Sequence, residues 1–178
     1  MKAIPEASLN VRGKTAYIDD LPEPRSLLHA AVKLSESARG RITRIDASAA
    51  LALDPSVRVV THADVPGENQ LGFTVADEPL LPEHEWEYWG QPLVLCLART
   101  KSLARRACEL VAIEGEPLEP VLDAREAAAM GEFILPPRTQ ASGDTAAAFA
   151  SAAFTAEGRV ESGGQEHVYL ETQGAVAE

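Results

Sequence analysis

Gly163-Gly164-Gln165-Glu166-His167 sets two residues without a Cβ beside a carboxamide, a carboxylate and an imidazole. Paired glycines let a backbone approach a ligand closely. A carboxamide next to them offers N–H donors to an oxyanion without adding a charge of its own. The arrangement suits an oxyanion held by Gln165, with Gly164 clearing the approach. Gly-Gly by itself is a weak signal, because it more often marks a turn or a bulge at a strand end.

The other chemistry-bearing residues are dispersed. The histidines at 29, 62, 84 and 167 match no zinc spacing, and no cysteine lies near them. No metal ligand and no catalytic residue is therefore assigned. Gly40, Gly67 and Gly72 form no phosphate-binding fingerprint, and no serine sits in a nucleophile elbow. Cys96 and Cys108 are too few for a disulfide framework or an iron–sulfur site, and both read as small core residues.

The elements that must position the motif follow from periodicity. Residues 154–161 alternate Phe154, Ala156 and Val160 with Thr155, Glu157, Arg159 and Glu161, which predicts a half-buried strand delivering Gly-Gly-Gln. Before it, Asp144 caps an alanine-rich turn reaching about Ser151, and Pro136-Pro137 begins an extended connector. Asp123 with Glu126 reads as a capping box for a short helix closed by Gly131. The run Leu93-Val94-Leu95-Cys96-Leu97-Ala98 predicts a central strand buried on both faces. Residues 102–111 then shift to helical period, with Leu103, Ala104, Ala107, Cys108, Leu110 and Val111 on one side. A strand returns at 111–114 and ends at Glu116-Pro117-Leu118-Glu119-Pro120. Strands are predicted at 41–46 and 56–61, and a long ordered loop at 64–85.

A chain of 178 residues with 46% apolar composition is globular, of one or at most two domains. The net charge is −11, and residues 111–178 carry −9 of it. No basic stripe exists for a phosphate backbone, which argues against nucleic acid, and no apolar run is long enough for a membrane span. The segment Met1-Lys2-Ala3-Ile4-Pro5-Glu6 lacks the apolar core of a signal peptide, so the expectation is a soluble cytoplasmic protein.

The full string Gly163-Gly164-Gln165-Glu166-His167-Val168-Tyr169-Leu170-Glu171-Thr172-Gln173 resembles the first cofactor-contacting motif of the molybdenum hydroxylases, the xanthine dehydrogenase and aldehyde oxidase family. The resemblance extends upstream in the same order. Val11-Arg12-Gly13-Lys14-Thr15-Ala16-Tyr17-Ile18-Asp19-Asp20-Leu21-Pro22, Ser37-Ala38-Arg39-Gly40-Arg41-Ile42, Gly90-Gln91-Pro92 and Glu116-Pro117-Leu118 complete the set, covering roughly residues 8–175. The family commonly has Phe where this chain has Val168, His where it has Asn10 and Arg39, and Tyr where it has Gly115. A glycine at 115 should interrupt a strand and deprive the core of a side chain.

The resemblance implies an α+β fold: an a/b hammerhead domain over residues 8–122, a connector over 123–142 and the beginning of a molybdenum cofactor-binding domain over 143–178. It implies the N-terminal part of a molybdenum hydroxylase large subunit that hydroxylates purines, N-heterocycles or aldehydes using water. Gln165 and Gly164 are then its cofactor-binding residues, and His167 supports the motif. The family assigns neither Glu166 nor Glu171 the role of base and places that carboxylate, with further cofactor loops, downstream. The chain alone is expected to be inactive and to hold no molybdopterin. Its implied partners are the remainder of the molybdenum subunit and chains or domains carrying iron–sulfur clusters and FAD. The alternative is a non-catalytic hammerhead module that serves as an interaction or scaffold protein. Residues 10–120 are expected to fold alone, and the segment after Pro137 to require a partner.

Overall fold

The computed structural model describes residues 5–168 and 174–177. In chain order its elements are α1 (Pro5–Asn10), β1 (His29–Leu34), β2 (Gly40–Asp46), α2 (Ser48–Leu51), β3 (Arg58–Val60), β4 (Glu85–Trp86), β5 (Pro92–Ala98), α3 (Lys101–Leu110), β6 (Ala112–Pro117), α4 (Ala124–Met130) and α5 (Thr145–Ser151). The chain divides into two units, Pro24–Phe133 and the pair of segments Met1–Glu23 and Ile134–Glu178.

In the Pro24–Phe133 unit the apolar run at 93–98 forms β5, the middle strand of an antiparallel sheet ordered β1-β5-β3. One face of β5 is sealed: Val94, Cys96 and Ala98 have no exposed surface. Helix α3 packs on β1 and β5 there, placing Ala104, Ala107 and Cys108 in the core while Arg105, Arg106 and Glu109 stay in water. Thr100 starts this helix by accepting the Leu103 N–H on its hydroxyl at 3.1 Å. The opposite face is closed only at its start: Leu93 is buried, whereas Leu95 and Leu97 are half-buried opposite the exposed Val32 and Ala30 of β1. Burial of β5 on both faces, expected from its unbroken apolar run, thus holds at Leu93 and is corrected along Leu95 and Leu97, because the two helices that pack on this sheet also pack on each other and so cover the same side.

A second antiparallel sheet is ordered β4-β2-β6. Trp86 on β4 lays its indole across β2, and Gly40 and Gly115 leave the space for it. A Cβ on Gly115 would stand 2.6 Å from Trp86 Cη2 and 2.7 Å from the Arg41 carbonyl oxygen, and one on Gly40 would overlap the ring directly. The indole N–H donates to the carbonyl and hydroxyl oxygens of Ser37, each at 3.1 Å. The ring is only 8% exposed. Burial of an aromatic of this size contributes on the order of 4–6 kcal/mol. Gly115 therefore does not deprive the core of a side chain, as the sequence suggests; it admits one from the neighbouring strand.

The ends of this sheet also differ from expectation. β6 continues to Pro117, which pairs opposite Gly40, because β6 is an edge strand and the ring's missing N–H faces no partner. β1 and β4 were not predicted: His29–Leu34 lacks the β-branched alternation of a strand, and Glu85–Trp86 is too short to leave a period inside residues 64–85. α2 and α1 are likewise single turns without a detectable stripe. β3 keeps only Arg58–Val60 of the stretch at 56–61 expected to be extended. Asp123 accepts the Arg125 and Glu126 N–H groups at 2.8 and 3.1 Å, and Gly131 closes α4 in the left-handed region at φ 79°.

In the other unit, Asp144 caps α5 by accepting the Ala147 N–H at 2.9 Å. The Asp20 carboxylate accepts the Tyr17 N–H at 3.0 Å and holds a single helical turn. The strand expected at 154–161 is not formed among the described residues, and this corrects the reading of its alternation. Phe154 and Val160, its supposed inward side chains, are 94% and 95% exposed. A lone strand leaves both edges without hydrogen-bond partners, and no described strand pairs with it.

Two outcomes test this architecture. Trp86→Ala should destabilise the chain by about 3–5 kcal/mol in urea unfolding, and Gly115→Ala by about 1–3 kcal/mol. Combining Gly115→Ala with Trp86→Leu should cost less than the two losses added, because the clash is removed. Asp46, Asp54 and Asp64 sit below their ordinary value of 3.8, chiefly because they accept hydrogen bonds from Ser48, Ser56 and Thr61. A depressed folded value stabilises above the unfolded one and is lost as pH falls through it. The thermal midpoint should hold from neutral pH down to about pH 4 and fall below it, with a smaller fall in Asp54→Asn.

Candidate functional site

After α5 the chain runs through Gly163-Gly164-Gln165 with no helix or strand to hold it. Neither glycine has a positive φ, and a Cβ at either would meet nothing within 4 Å. The described chain itself therefore does not require glycine at these two positions. Their open surroundings fit the close approach of a group from outside the segment. Gln165 is exposed, and its carboxamide makes no hydrogen bond to another described residue. It is free to donate to an oxyanion.

Glu166 is differently placed. Its carboxylate accepts the backbone N–H groups of His167 at 2.9 Å and Val168 at 3.4 Å. These bonds tie it to its own turn, where Val168 adopts φ 48°, a region costly for a β-branched side chain. The rest of the motif, residues 169–173 with Glu171 among them, lies outside the described residues.

The other candidates are not brought together here. His29 lies on β1, and His62 and His84 both approach Glu83, each with Nε2 3.8 Å from a carboxylate oxygen. Among the described residues no group of three or more His, Cys, Asp or Glu side chains could hold a metal ion. Cys96 and Cys108 are buried between β5 and α3. Burial, helped by the hydrogen bond to Cys108, pushes the Cys96 thiol up to about 12, so it is no nucleophile.

The remaining motif residues serve the scaffold. Gln91 is buried, with its side-chain Oε1 accepting the Glu87 N–H at 2.6 Å. The Ser35 hydroxyl donates to the Tyr88 carbonyl at 2.7 Å and accepts the Gln91 N–H at 3.0 Å. Leu118 N–H donates to the Arg39 carbonyl at 3.1 Å. These bonds fix the turn before β5 and the end of β6 around Trp86.

An α+β unit of two small antiparallel sheets, followed by a segment offering one free carboxamide directly after two open glycines, defines a class that comparison with known proteins identifies. Residues 12–119 match the family "aldehyde oxidase and xanthine dehydrogenase, a/b hammerhead domain", and residues 129–178 match "molybdopterin cofactor-binding domain". The chain is 40% identical over 168 residues to a xanthine dehydrogenase of Drosophila subobscura, covering 93% of this chain and 12% of the relative. It is 36% identical over 162 residues to aldehyde oxidase 2 of Macaca fascicularis, covering 90% of this chain and again 12% of the relative. Among solved structures it resembles the aldehyde oxidoreductase of Desulfovibrio gigas, with TM-score 0.74 and 31% identity over 86% of this chain and 19% of that one. It also resembles quinoline 2-oxidoreductase from Pseudomonas putida 86, with TM-score 0.67 and 31% identity over 84% of this chain and 21% of that one.

The chain belongs to the xanthine dehydrogenase and aldehyde oxidase family of molybdenum hydroxylases. It comprises the hammerhead domain and the start of the molybdopterin cofactor-binding domain. It spans about 12% of the length of the curated relatives it matches. Among the described residues no helix is long and apolar enough to cross a membrane.

Because Gln165 makes no described contact, Gln165→Ala should leave the urea midpoint of the 178-residue chain unchanged within about 0.5 kcal/mol. A larger loss would show that the side chain packs within the chain and is not free for a ligand.

Proposed function

We propose that this chain is the opening part of a molybdenum hydroxylase large subunit, in which Gln165 and Gly164 make its contact with the cofactor. The observation that carries the reading is the free carboxamide of Gln165 beside two glycines whose surroundings are open, within residues matched to a molybdopterin cofactor-binding domain. The proposed layout is a hammerhead domain over residues 8–122, a connector over 123–142 and the first part of the cofactor domain over 143–178.

The molybdenum cofactor, when bound, supplies the two-electron redox chemistry that hydroxylates a purine, an N-heterocycle or an aldehyde with oxygen from water. This chain's share is binding and orientation. Gln165 donates its amide N–H to an oxygen of the cofactor, and Gly164 removes the Cβ that would stand in the way. Glu166 is not proposed as the base, and its hydrogen bonds to the amides of residues 167 and 168 support that reading. The base carboxylate would come from the remainder of the molybdenum subunit, and the further proposed partners are chains or domains that would carry iron–sulfur clusters and FAD. The assembly is proposed to be cytoplasmic. One amide is too little to hold a large anionic pterin, so the chain by itself carries none. The alternative, a scaffold that has lost the enzyme's requirements, draws less support from Gly115 now that the residue accommodates Trp86.

A buried amide donor contributes on the order of 1–3 kcal/mol to the group it faces. In the complex purified from its native host, Gln165→Ala should lower molybdenum content or turnover about tenfold or more, and Glu166→Gln should change them little. Metal analysis beside the activity assay checks this. A complex that retains its partners but contains no molybdenum would favour the scaffold, and loss of turnover in Glu166→Gln alone would reverse the roles.

A further inference from the structure

Arg58 and Arg99 face one cavity of about 460 Å³, together with Leu28, Asp54, Pro55 and Ser56. It lies wholly within the Pro24–Phe133 unit and shares no residue with the motif at 163–167. Arg58 Nη1 donates to the carbonyl oxygens of Pro55 at 2.7 Å and Val57 at 2.8 Å. The backbone thus fixes this guanidinium, while its other nitrogens remain available.

Among the described residues neither Arg58 nor Arg99 lies within 4.0 Å of a carboxylate. Arg39, Arg41, Arg44 and Arg106 are all so paired. Arg99 directly precedes Thr100, the cap of α3, so the positive end of a ten-residue helix adds to the same field. Asp54 is the one acid in the lining. Its carboxylate is already engaged, accepting the Ser56 N–H at 2.8 Å and the Ser56 hydroxyl at 2.6 Å. The lining therefore carries two positive charges, one of them fixed by the backbone, against one committed negative charge, in a chain whose net charge is −11.

The geometry points to a binding site for a carboxylate borne on a small apolar body. Planar guanidinium groups match a carboxylate in bidentate fashion. Leu28 and Pro55 offer the apolar flank. A single negative charge balances the lining, whereas a dianion meets added repulsion from Asp54. The carboxylate can come from a free small molecule or from an acidic side chain of adjoining protein.

The test is a titration of the full chain, followed by NMR, with benzoate, its neutral analogue benzamide, N-acetylglutamate amide and inorganic phosphate. Saturable shifts with benzoate or N-acetylglutamate amide should centre on residues 28, 54–58 and 99. The tighter of the two identifies a free ligand or a protein side chain as the source. Arg58→Gln and Arg99→Gln should each weaken binding about tenfold or more. Asp54→Asn should tighten it about threefold, since it removes the opposing charge and keeps an acceptor for the Ser56 N–H. A gain of affinity cannot be produced by misfolding, which guards against Arg58→Gln disturbing its strand. Equal binding of benzamide and benzoate, tighter binding of phosphate than of either carboxylate, absence of saturation, or indifference to all three substitutions would overturn the proposal.

Discussion

Close packing of one indole against two glycines organises the hammerhead unit. Trp86 reaches from β4 across β2 towards β6, and it can do so only because Gly40 and Gly115 carry no side chain. The same ring anchors Ser37 through its N–H, and Ser37 and Gly40 belong to one short motif. Pro117 closes opposite Gly40, and Leu118 ties back to Arg39. Motif segments far apart in the chain thus meet around one side chain. The ion pairs on this sheet, such as Arg41 with Glu85 and Glu116 at 3.4 and 3.5 Å, are largely exposed and add only tenths of a kcal/mol each. Apolar burial and steric fit therefore dominate.

Legibility in the sequence followed the strength of local pattern. β5 and α3 could be read directly, since an unbroken apolar run and a clean helical stripe have few competing interpretations. Asp123, Gly131 and Asp144 announced their helix ends through capping chemistry that acts over three residues. β1 and β4 could not be read, because their conformation is imposed by β5 and β2 and not by their own side chains. Residues 154–161 erred in the opposite direction. There the alternation is real, but no neighbour is present among the described residues to make it a strand. The role of Gly115 is not legible locally, because its meaning lies in a tryptophan 29 positions away.

The candidate site divides along the same line. Motif order carried the family, and Gln165 stands out in the sequence because a carboxamide directly follows two glycines. Arg58 and Arg99 gave no signal, since two arginines 41 positions apart share a cavity only after β3 pairs with β5. The scaffold and the chemistry are also physically distinct. Polar groups of the hammerhead motifs are largely satisfied within the unit, whereas Gln165 keeps its donors free. Val168, held at φ 48° beside the motif, places backbone strain next to that free amide.

The pairing of β2 with β6 has a bearing on biosynthesis. Arg44 and Glu114, which face each other across these strands, are 70 residues apart in the chain. A ribosome must therefore extend the nascent polypeptide far beyond β2 before its second edge can be covered. Non-local pairing of this kind is slow, and an open edge is vulnerable to mispairing while it waits. The slot for the indole cannot be completed until β6 has emerged. Folding of this unit is thus tied to the arrival of one late strand, and a pause in translation before that point would leave an incomplete sheet exposed to chaperones.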